Sequence, residues 1–418
     1  MLSLHLVRRF GTATHIVAAA ITCTENVNSV RERPVSNVVR EPIELDEPAL
    51  VKLKKERDPE KLFNLFKANA RNKLVVENRF AFEDTVSRLA GAGRFDYIEN
   101  LLEHQKILPQ GRREGFIIRI IMLYGKAGMF KQAVNTFFDM HLYGCQRTVK
   151  AFNAALKVLT LSRDLEAIES FFREAPLECG VKLDVYSVNI VIKAVCEMGI
   201  LDRAHLIMLE MEKLGIRPDV VTYTTLISAF YKFNQRHIGN GLWNLMILNG
   251  CLPNLATFNV RIQFLVNKGR SWDANKLVGL MHHLGLKPDE VTYNLLIKGF
   301  CRAGFLDMAK RIYSHLPDQG IQPNVKIYQT MIHYLCEAND FDLAYTMSKK
   351  SMEKNWFPSI DTILKLLEGL RKTGKIDKAK FVISLAKKRT PPFSAHQMNT
   401  MQSMLTRKYG NIQTETKL

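Results

Sequence analysis

The chain has 418 residues, 47% of them hydrophobic, and 59 basic against 41 acidic side chains give it a formal charge of +18. This length ordinarily indicates two or three domains, and the charge favours polyanionic partners, although acidic substrates, an anionic membrane surface or no such partner would also be consistent with it. No apolar run is long enough to span a bilayer, and no pair among the seven cysteines has Cys-x-x-Cys spacing, so a membrane-spanning protein and a zinc site of that pattern are excluded.

Residues 1–24 have the composition of an organellar transit peptide. They include Arg8, Arg9 and several Ser and Thr, and the first acidic residue is Glu25. A disordered tail without a targeting role is the alternative. The arginine pair among Leu and Phe residues can form a basic amphipathic helix, so we expect import into the mitochondrion, with the chloroplast as second choice.

Residues 25–43 lack a helical period and contain Pro34 and Pro42, so they are predicted to be a linker. A degenerate helical hairpin is expected over residues 44–78, with Asp58 and Pro59 opening its second helix.

The remainder of the chain repeats itself every 35 residues. A proline recurs at this spacing, at Pro218, Pro253, Pro288, Pro323 and Pro358. A glycine recurs in phase with it, at Gly93, Gly128, Gly199, Gly269, Gly304 and Gly374. A small residue recurs five places after this turn position in most units, at Ala133, Ala204, Ala274, Ala309, Ala344 and Ala379. A fixed period of this length predicts a solenoid of stacked modules.

One unit illustrates the predicted hairpin. Residues 291–303 have apolar side chains at helical spacing, and Gly304 supplies a left-handed cap that ends this first helix. The second helix runs from Leu306 to about Leu316, and Ala309 permits close packing of the two. Residues 319–324 then break the chain. A single hairpin cannot bury its own apolar face, so neighbouring hairpins must stack.

These units resemble the plant-type pentatricopeptide repeat family. The resemblance implies an all-α fold, a right-handed superhelical α-solenoid of helix-turn-helix hairpins, over residues 44–390. The clearest repeats are 149–184, 185–219, 220–254, 255–289 and 290–324. Degenerate repeats are expected at 44–78, 79–113, 114–148, 325–359 and 360–390. The unit 149–184 has one extra residue, which we place within 175–180.

In this family the fifth and last residues of a repeat together contact one RNA base. The resemblance therefore implies that five such pairs read bases here, namely Asn153 with Asp184, Asn189 with Asp219, Thr224 with Asn254, Asn259 with Asp289, and Asn294 with Asn324. The Asn and Asp pairs match the combination for uracil, the third pair matches adenine and the last cytosine. The implied RNA core is UUAUC.

Other positions are expected to hold the base faces and the phosphates. The family's second residue lies against a base, and here it is Tyr186, Val221 or Val291, with Ala256 also in this position. Basic residues four or eight places after the base-reading residues lie on nearly the same helical stripe and are expected to neutralise phosphates, namely Lys157, Lys193, Lys232, Lys298 and Arg302.

Helix capping is the alternative interpretation of the last residue of each unit. Asp and Asn directly before a helix are favoured caps. Capping does not explain Asn189, Asn259 and Asn294, because Asn within a helix is less favourable than Ala.

Beyond Pro391 and Pro392, residues 391–418 are expected to form a cap and tail, with a closing helix over residues 395–408. This segment is too short for the extra C-terminal domain that editing or nuclease members of the family carry.

No catalytic motif is present, so the chain is not expected to be an enzyme and no cofactor or metal is predicted. His282 and His283 are interpreted as a surface pair. Cys196, Cys301 and Cys336 recur at one position of the first helix, which predicts packing residues in a reducing compartment.

The expected function is binding of single-stranded RNA in organellar RNA metabolism, such as transcript stabilisation, processing, editing or splicing, through recruited factors. The alternative is a scaffold, for example a component of the mitochondrial ribosome, that does not read sequence.

Overall fold

The computed structural model describes residues 48–213 and 215–406, and the expected transit peptide, the whole of the expected linker, residues 44–47 of the first expected repeat and the end of the tail lie outside this part. The chain divides into two compact units, residues 1–229 and 230–418. The described residues form α-helices and short 3-10 turns without strands, which confirms the all-α fold class.

The first unit is built from helical hairpins. Each pairs a first helix, here called an A helix, with a second, or B helix, and the A helices pack on one another along the chain. Three helices precede the hairpins: α1 (Ala49–Lys55), α2 (Pro59–Ala68) and α3 (Lys73–Glu77). The hairpin helices are α4 (Arg79–Gly91), α5 (Phe95–Ile107), α6 (Glu114–Lys126), α7 (Phe130–Phe138), α8 (Val149–Leu159), α9 (Leu165–Cys179), α10 (Val185–Met198), α11 (Leu201–Lys213) and α12 (Val220–Lys232), the last of which continues into the second unit.

Aromatic side chains form much of the core of the first unit. Phe152 of α8 is fully buried, and its ring stacks on that of Phe171 from α9 with centroids 5.2 Å apart. Phe137 of α7 meets both rings edge to face, at 6.0 and 5.7 Å. Three helices from two hairpins thus share one cluster, as expected when a hairpin cannot bury its apolar face alone.

The second unit repeats the same arrangement. Its further helices are α13 (Arg236–Leu248), α14 (Leu255–Asn267), α15 (Ser271–His283), α16 (Glu290–Arg302), α17 (Leu306–His315), α18 (Val325–Glu337), α19 (Phe341–Met352), α20 (Ile360–Lys372), α21 (Ile376–Lys387) and α22 (Ala395–Thr406). The A helices α14, α16, α18 and α20 pack in succession, and α22 closes this unit against α20 and α21.

Glycine and alanine at the repeated positions behave as predicted. Gly304 has φ +83°, the left-handed conformation that glycine adopts without steric cost. Where the repeat lacks this glycine, Arg163, Asn234 and Asn339 adopt the same conformation, with φ near +60°. The recurrent alanine of the B helices is fully buried, for example Ala309. The turn geometry is therefore kept even where the sequence does not supply glycine.

Two segments differ from a regular 35-residue hairpin. Residues 44–78 were expected to form one hairpin, but α3 follows α2 because the Asn72 side chain accepts the backbone N–H of Leu74 and starts a new helix. Asp58 does cap α2, as predicted. The extra residue of the unit 149–184 lies in the segment that contains α9, because the left-handed residues on either side of this helix, Arg163 and Gly180, are 17 positions apart, whereas Gly269 and Gly285 on either side of α15 are 16 apart.

Candidate nucleic-acid interface

Three of the predicted base-reading pairs are hydrogen-bonded. The side-chain nitrogen of Asn153 lies 3.3 Å from Oδ1 of Asp184, that of Asn189 lies 3.1 Å from Oδ1 of Asp219, and that of Asn259 lies 3.4 Å from Oδ1 of Asp289. In each pair the Asn is on an A helix and the Asp immediately precedes the next A helix. Because a carboxylate only accepts hydrogen bonds, it selects the nitrogen side of the amide.

The aspartates also cap the helices that follow them. Oδ1 of Asp184 accepts the backbone N–H of Ser187 at 2.7 Å, and Oδ1 of Asp289 accepts that of Thr292 at 2.8 Å. The predicted reading residues Asn254 and Asn324 cap α14 and α18 in the same way. Capping is thus a real role of these positions, and it does not prevent the same carboxylate from binding the reading Asn.

These hydrogen bonds keep two of the aspartates charged. Burial acts to raise the pKa of Asp184, but hydrogen bonds from Ser187 and Asn153 outweigh it, so the pKa lies below its usual value. Asp289 behaves in the same way. Burial acts to raise its pKa, but hydrogen bonds from Thr292 and Asn259 outweigh this effect and lower the pKa. At neutral pH both positions therefore carry a carboxylate.

A hydroxyl at the third residue of the next unit completes the arrangement, and its role was not predicted from the sequence. The Thr222 hydroxyl donates to Oδ1 of Asn189 at 2.6 Å, and the Thr292 hydroxyl donates to Oδ1 of Asn259 at 2.7 Å. Both threonines are fully buried. A signal was present in the sequence, because hydroxyl residues recur in phase at Ser187, Thr222, Thr257, Thr292 and Thr362.

Asn294 is oriented differently from the other reading asparagines. The third residue of the next unit is Ile327, which has no hydroxyl, and the last residue of its own unit is Asn324 rather than Asp. The Asn294 oxygen instead accepts a hydrogen bond from the Thr330 hydroxyl at 3.0 Å. No hydrogen bond joins Asn294 to Asn324 within the described part of the chain.

A cavity of about 330 Å³ opens between the first turns of α8 and α10. Its lining includes Asn153 and Asp184, which form a predicted base-reading pair, and Lys157, a predicted phosphate ligand. The second residues of the two neighbouring units, Lys150 and Tyr186, also line it. Asn153 is only 6% exposed, and its side-chain oxygen has no hydrogen-bond partner among the described residues. A buried, unpaired amide oxygen is costly, so this site is suited to a polar ligand.

The positions expected to contact base faces are accessible. The side chains of Tyr186, Val221 and Val291 are 55%, 56% and 50% exposed. These side chains are therefore free to lie against a base.

The five predicted phosphate ligands are also exposed, namely Lys157, Lys193, Lys232, Lys298 and Arg302. Lys193 lies 3.9 Å from Glu197, and Arg302 makes a 3.4 Å hydrogen bond to Asn267. Both contacts are at the surface, so they do not prevent these groups from reaching a phosphate.

The remaining predicted reading residues are placed as follows. Thr224 lies half-buried on α12, in the first unit. Asn254 lies in the second unit, where it is exposed and caps α14.

The cysteines and the histidine pair singled out in the sequence are placed as packing and surface residues. Cys196, Cys301 and Cys336 are buried and free, and burial raises the pKa of each thiol to about 12. His282 and His283 are exposed at the end of α15, as predicted.

Within residues 48–213 and 215–406, no group of three or more His, Cys, Asp and Glu could hold a metal ion. No helix in the same part is both long and apolar enough to cross a bilayer.

The repeats match known family models. The PPR repeat family model matches residues 183–232, 219–267, 253–302 and 288–326, and a PPR repeat model matches residues 119–145.

Known proteins are similar to the chain in sequence or in structure. A mitochondrial pentatricopeptide repeat-containing protein of Arabidopsis thaliana is 64% identical over 251 residues, which are 60% of this chain and 61% of the relative. The Arabidopsis small ribosomal subunit protein mL103 is 34% identical over 253 residues, 60% of this chain and 57% of the relative. The chain thus spans about three fifths of the length of these two relatives. The crystal structure of the repeat protein PPR10 from maize aligns at 18% identity with a TM-score of 0.47, over 83% of this chain and 57% of that one.

Proposed function

The chain belongs to the pentatricopeptide repeat family, and on that premise we propose that it binds single-stranded RNA in the mitochondrion by reading bases with the A-helix pairs. The observation that carries this proposal is the cavity lined by Asn153, Asp184 and Tyr186, because a half-exposed ring, a buried amide and a carboxylate converge there. A flat base needs an apolar surface for its face and polar groups for its edge, and this site offers both.

The chemistry of the Asn and Asp pair favours uracil over cytosine. One N–H of the Asn189 amide binds Oδ1 of Asp219. The second N–H of this amide has no acceptor among the described residues, so it can donate to a base. Oδ2 of Asp219 accepts no hydrogen bond from the described residues. Uracil offers a carbonyl oxygen to the amide and an N3–H to the carboxylate. Cytosine places a lone pair at N3, which a carboxylate repels.

The mitochondrial location rests on residues 1–24 and on the mitochondrial relative that is 64% identical. Recruited factors would then carry out RNA processing, editing, splicing or stabilisation, since the proposed binding site only holds the RNA.

A second function is favoured by a separate observation. Two Arabidopsis small ribosomal subunit proteins, mL103 and mS78, are 34% and 33% identical to the chain. The chain would in this case be a mitochondrial ribosomal component that holds RNA without reading its sequence.

The two functions are distinguished by the affinity of the full chain for single-stranded RNA carrying UUAUC or UCACC, measured by fluorescence anisotropy over a salt series. We expect a preference for UUAUC of about tenfold or more, which corresponds to about 1.4 kcal/mol. Equal affinity for both RNAs, together with co-sedimentation of the chain with mitochondrial ribosomes, would reject base reading and support the ribosomal function.

A further inference from the structure

We propose that Thr222 and Thr292 are positioning residues that set which side of the reading amide faces a base. This inference rests on the proposed function and concerns how the site discriminates between bases. Neither threonine belongs to the fifth or last position of a repeat, and both are fully buried, so neither reaches a base itself.

Hydrogen-bond geometry supports this role. The Thr222 hydroxyl has one proton, and its shorter contact is to Oδ1 of Asn189 at 2.6 Å, against 3.0 Å to Oδ1 of Asp219. The planar amide of Asn189 is therefore held at both ends: its oxygen by the hydroxyl and its nitrogen by the carboxylate. In this orientation the Asn189 amide turns its oxygen toward the Thr222 hydroxyl and its second N–H toward a ligand, so the amide acts as a donor, while Oδ2 of Asp219 acts as the acceptor of the site.

The second unit contains the same arrangement and a natural exception. Thr292 binds Oδ1 of Asn259 at 2.7 Å and the cap oxygen of Asp289 at 2.8 Å. Where Ile327 replaces the hydroxyl residue, Asn294 turns its oxygen to Thr330. The hydroxyl and the carboxylate that hold the other amides are both missing there, since Ile327 and Asn324 occupy their positions, and the Asn294 amide takes a different orientation.

Ser187 shows that a hydroxyl in this position is not sufficient. Its hydroxyl donates to Oδ1 of Asp184 at 2.7 Å, and the oxygen of Asn153 is left without a partner among the described residues. The β-branched threonine has a more restricted χ1 angle than serine. We therefore expect the Asn153 site to discriminate less strongly than the Asn189 site.

The test compares Thr222→Val with Thr362→Val in the full chain. Valine keeps the shape of threonine and removes the hydroxyl. Thr362 occupies the same repeat position and also supports a helix cap, through Ser359. The unit before it has no predicted base-reading Asn, so Thr362→Val controls for the loss of capping alone. Affinities are measured for UUAUC, UCAUC and UUACC, which change the second or the fourth base alone.

We expect Thr222→Val to reduce the uracil preference at the second base from about tenfold to about threefold or less, because the freed amide can also turn its oxygen toward cytosine. The preference at the fourth base, read by Asn259, should not change, and Thr362→Val should alter neither. A Thr222→Val protein with the wild-type preference at the second base, or with an equal loss at both bases, would overturn the inference.

Ser187→Thr provides a second arm if Thr222→Val folds poorly, and it should increase the uracil preference at the first base, measured as the affinity for UUAUC against CUAUC. An unchanged preference there would count against the inference. A wild-type chain without preference at any of these bases would instead reject the proposed function, which separates the two failures.

Discussion

The side-chain nitrogen of Asn189 lies 3.1 Å from Oδ1 of Asp219, and the same oxygen accepts the backbone N–H of Thr222 at 2.9 Å. One carboxylate thus caps a helix and orients an amide of the preceding unit. Capping and the proposed base reading, which are alternatives when only the sequence is considered, would therefore use the same carboxylate oxygen. A cap that must also hold the Asn explains why Asp recurs where several residue types would serve as a cap.

Exchange of the capping carboxylate should change base preference with little loss of stability. Asp289→Asn keeps a good cap but replaces an acceptor by an amide, as in the unit that ends with Asn324, so we expect preference at the fourth base to move from uracil toward cytosine. Asp289→Ala should lose the cap as well, at a cost of about 1 kcal/mol. Anisotropy measures the first effect and thermal unfolding the second. Unaltered preference in both variants would exclude Asp289 from reading.

Removal of exposed lysines should weaken binding to all RNA sequences alike. For Lys193→Ala combined with Lys298→Ala, we expect the slope of log affinity against log salt to flatten by about 0.7 for each lost phosphate contact. Lys276→Ala is a matched control, since this side chain is 81% exposed on a B helix. A slope equal to that of the wild type in the double variant would show that these lysines do not contact phosphates.

Close helix packing makes Gly299 intolerant of a side chain. A Cβ atom there would lie 2.7 Å from Cγ2 of Val266 and 3.1 Å from Oγ of Ser271. We expect Gly299→Ala to destabilise the chain by about 1–3 kcal/mol. Gly279→Ala, with no atom within 4 Å of the added carbon, should instead stabilise it by up to about 1 kcal/mol through helix propensity. Chemical denaturation measures both, and equal effects would contradict the described packing.

Acid should weaken the wild-type chain more than a variant without the two titrating caps. Asp184 and Asp289 have a lowered pKa in the folded state, so their contribution is present above the ordinary pKa of Asp and is lost as pH falls through the folded value. The Asp184→Asn, Asp289→Asn double variant should therefore lose less stability between about pH 5 and about pH 2.5. Melting curves across this range test it, and parallel losses in the two proteins would refute it.

Buried thiols should resist alkylation in the folded protein. The pKa of about 12 for Cys196, Cys301 and Cys336 leaves roughly one thiolate in 10⁴ at pH 8. Brief treatment with iodoacetamide, followed by peptide mass spectrometry, should modify them only after denaturation. Rapid labelling of any of the three in the native protein would show that its A helix opens.

The 35-residue period predicted the hairpins because turn glycines and buried alanines recur in phase, and the Asn and Asp pairs could be found from the same period. Third-residue hydroxyls such as Thr222 were overlooked, since threonine in a helix indicates no role until its neighbour across the turn is known. Nor could the sequence predict that Asn294 turns to Thr330, because this orientation depends on which hydrogen-bond donors lie within reach. Residues 44–78 differ from the period for a local reason, the cap supplied by Asn72.

The structure of the full chain bound to single-stranded RNA carrying UUAUC tests the central claim most directly. Our account predicts a uracil in the cavity between α8 and α10, with its face against Tyr186 and its edge hydrogen-bonded to Asn153. RNA bound elsewhere on the chain, with this cavity empty, would contradict it.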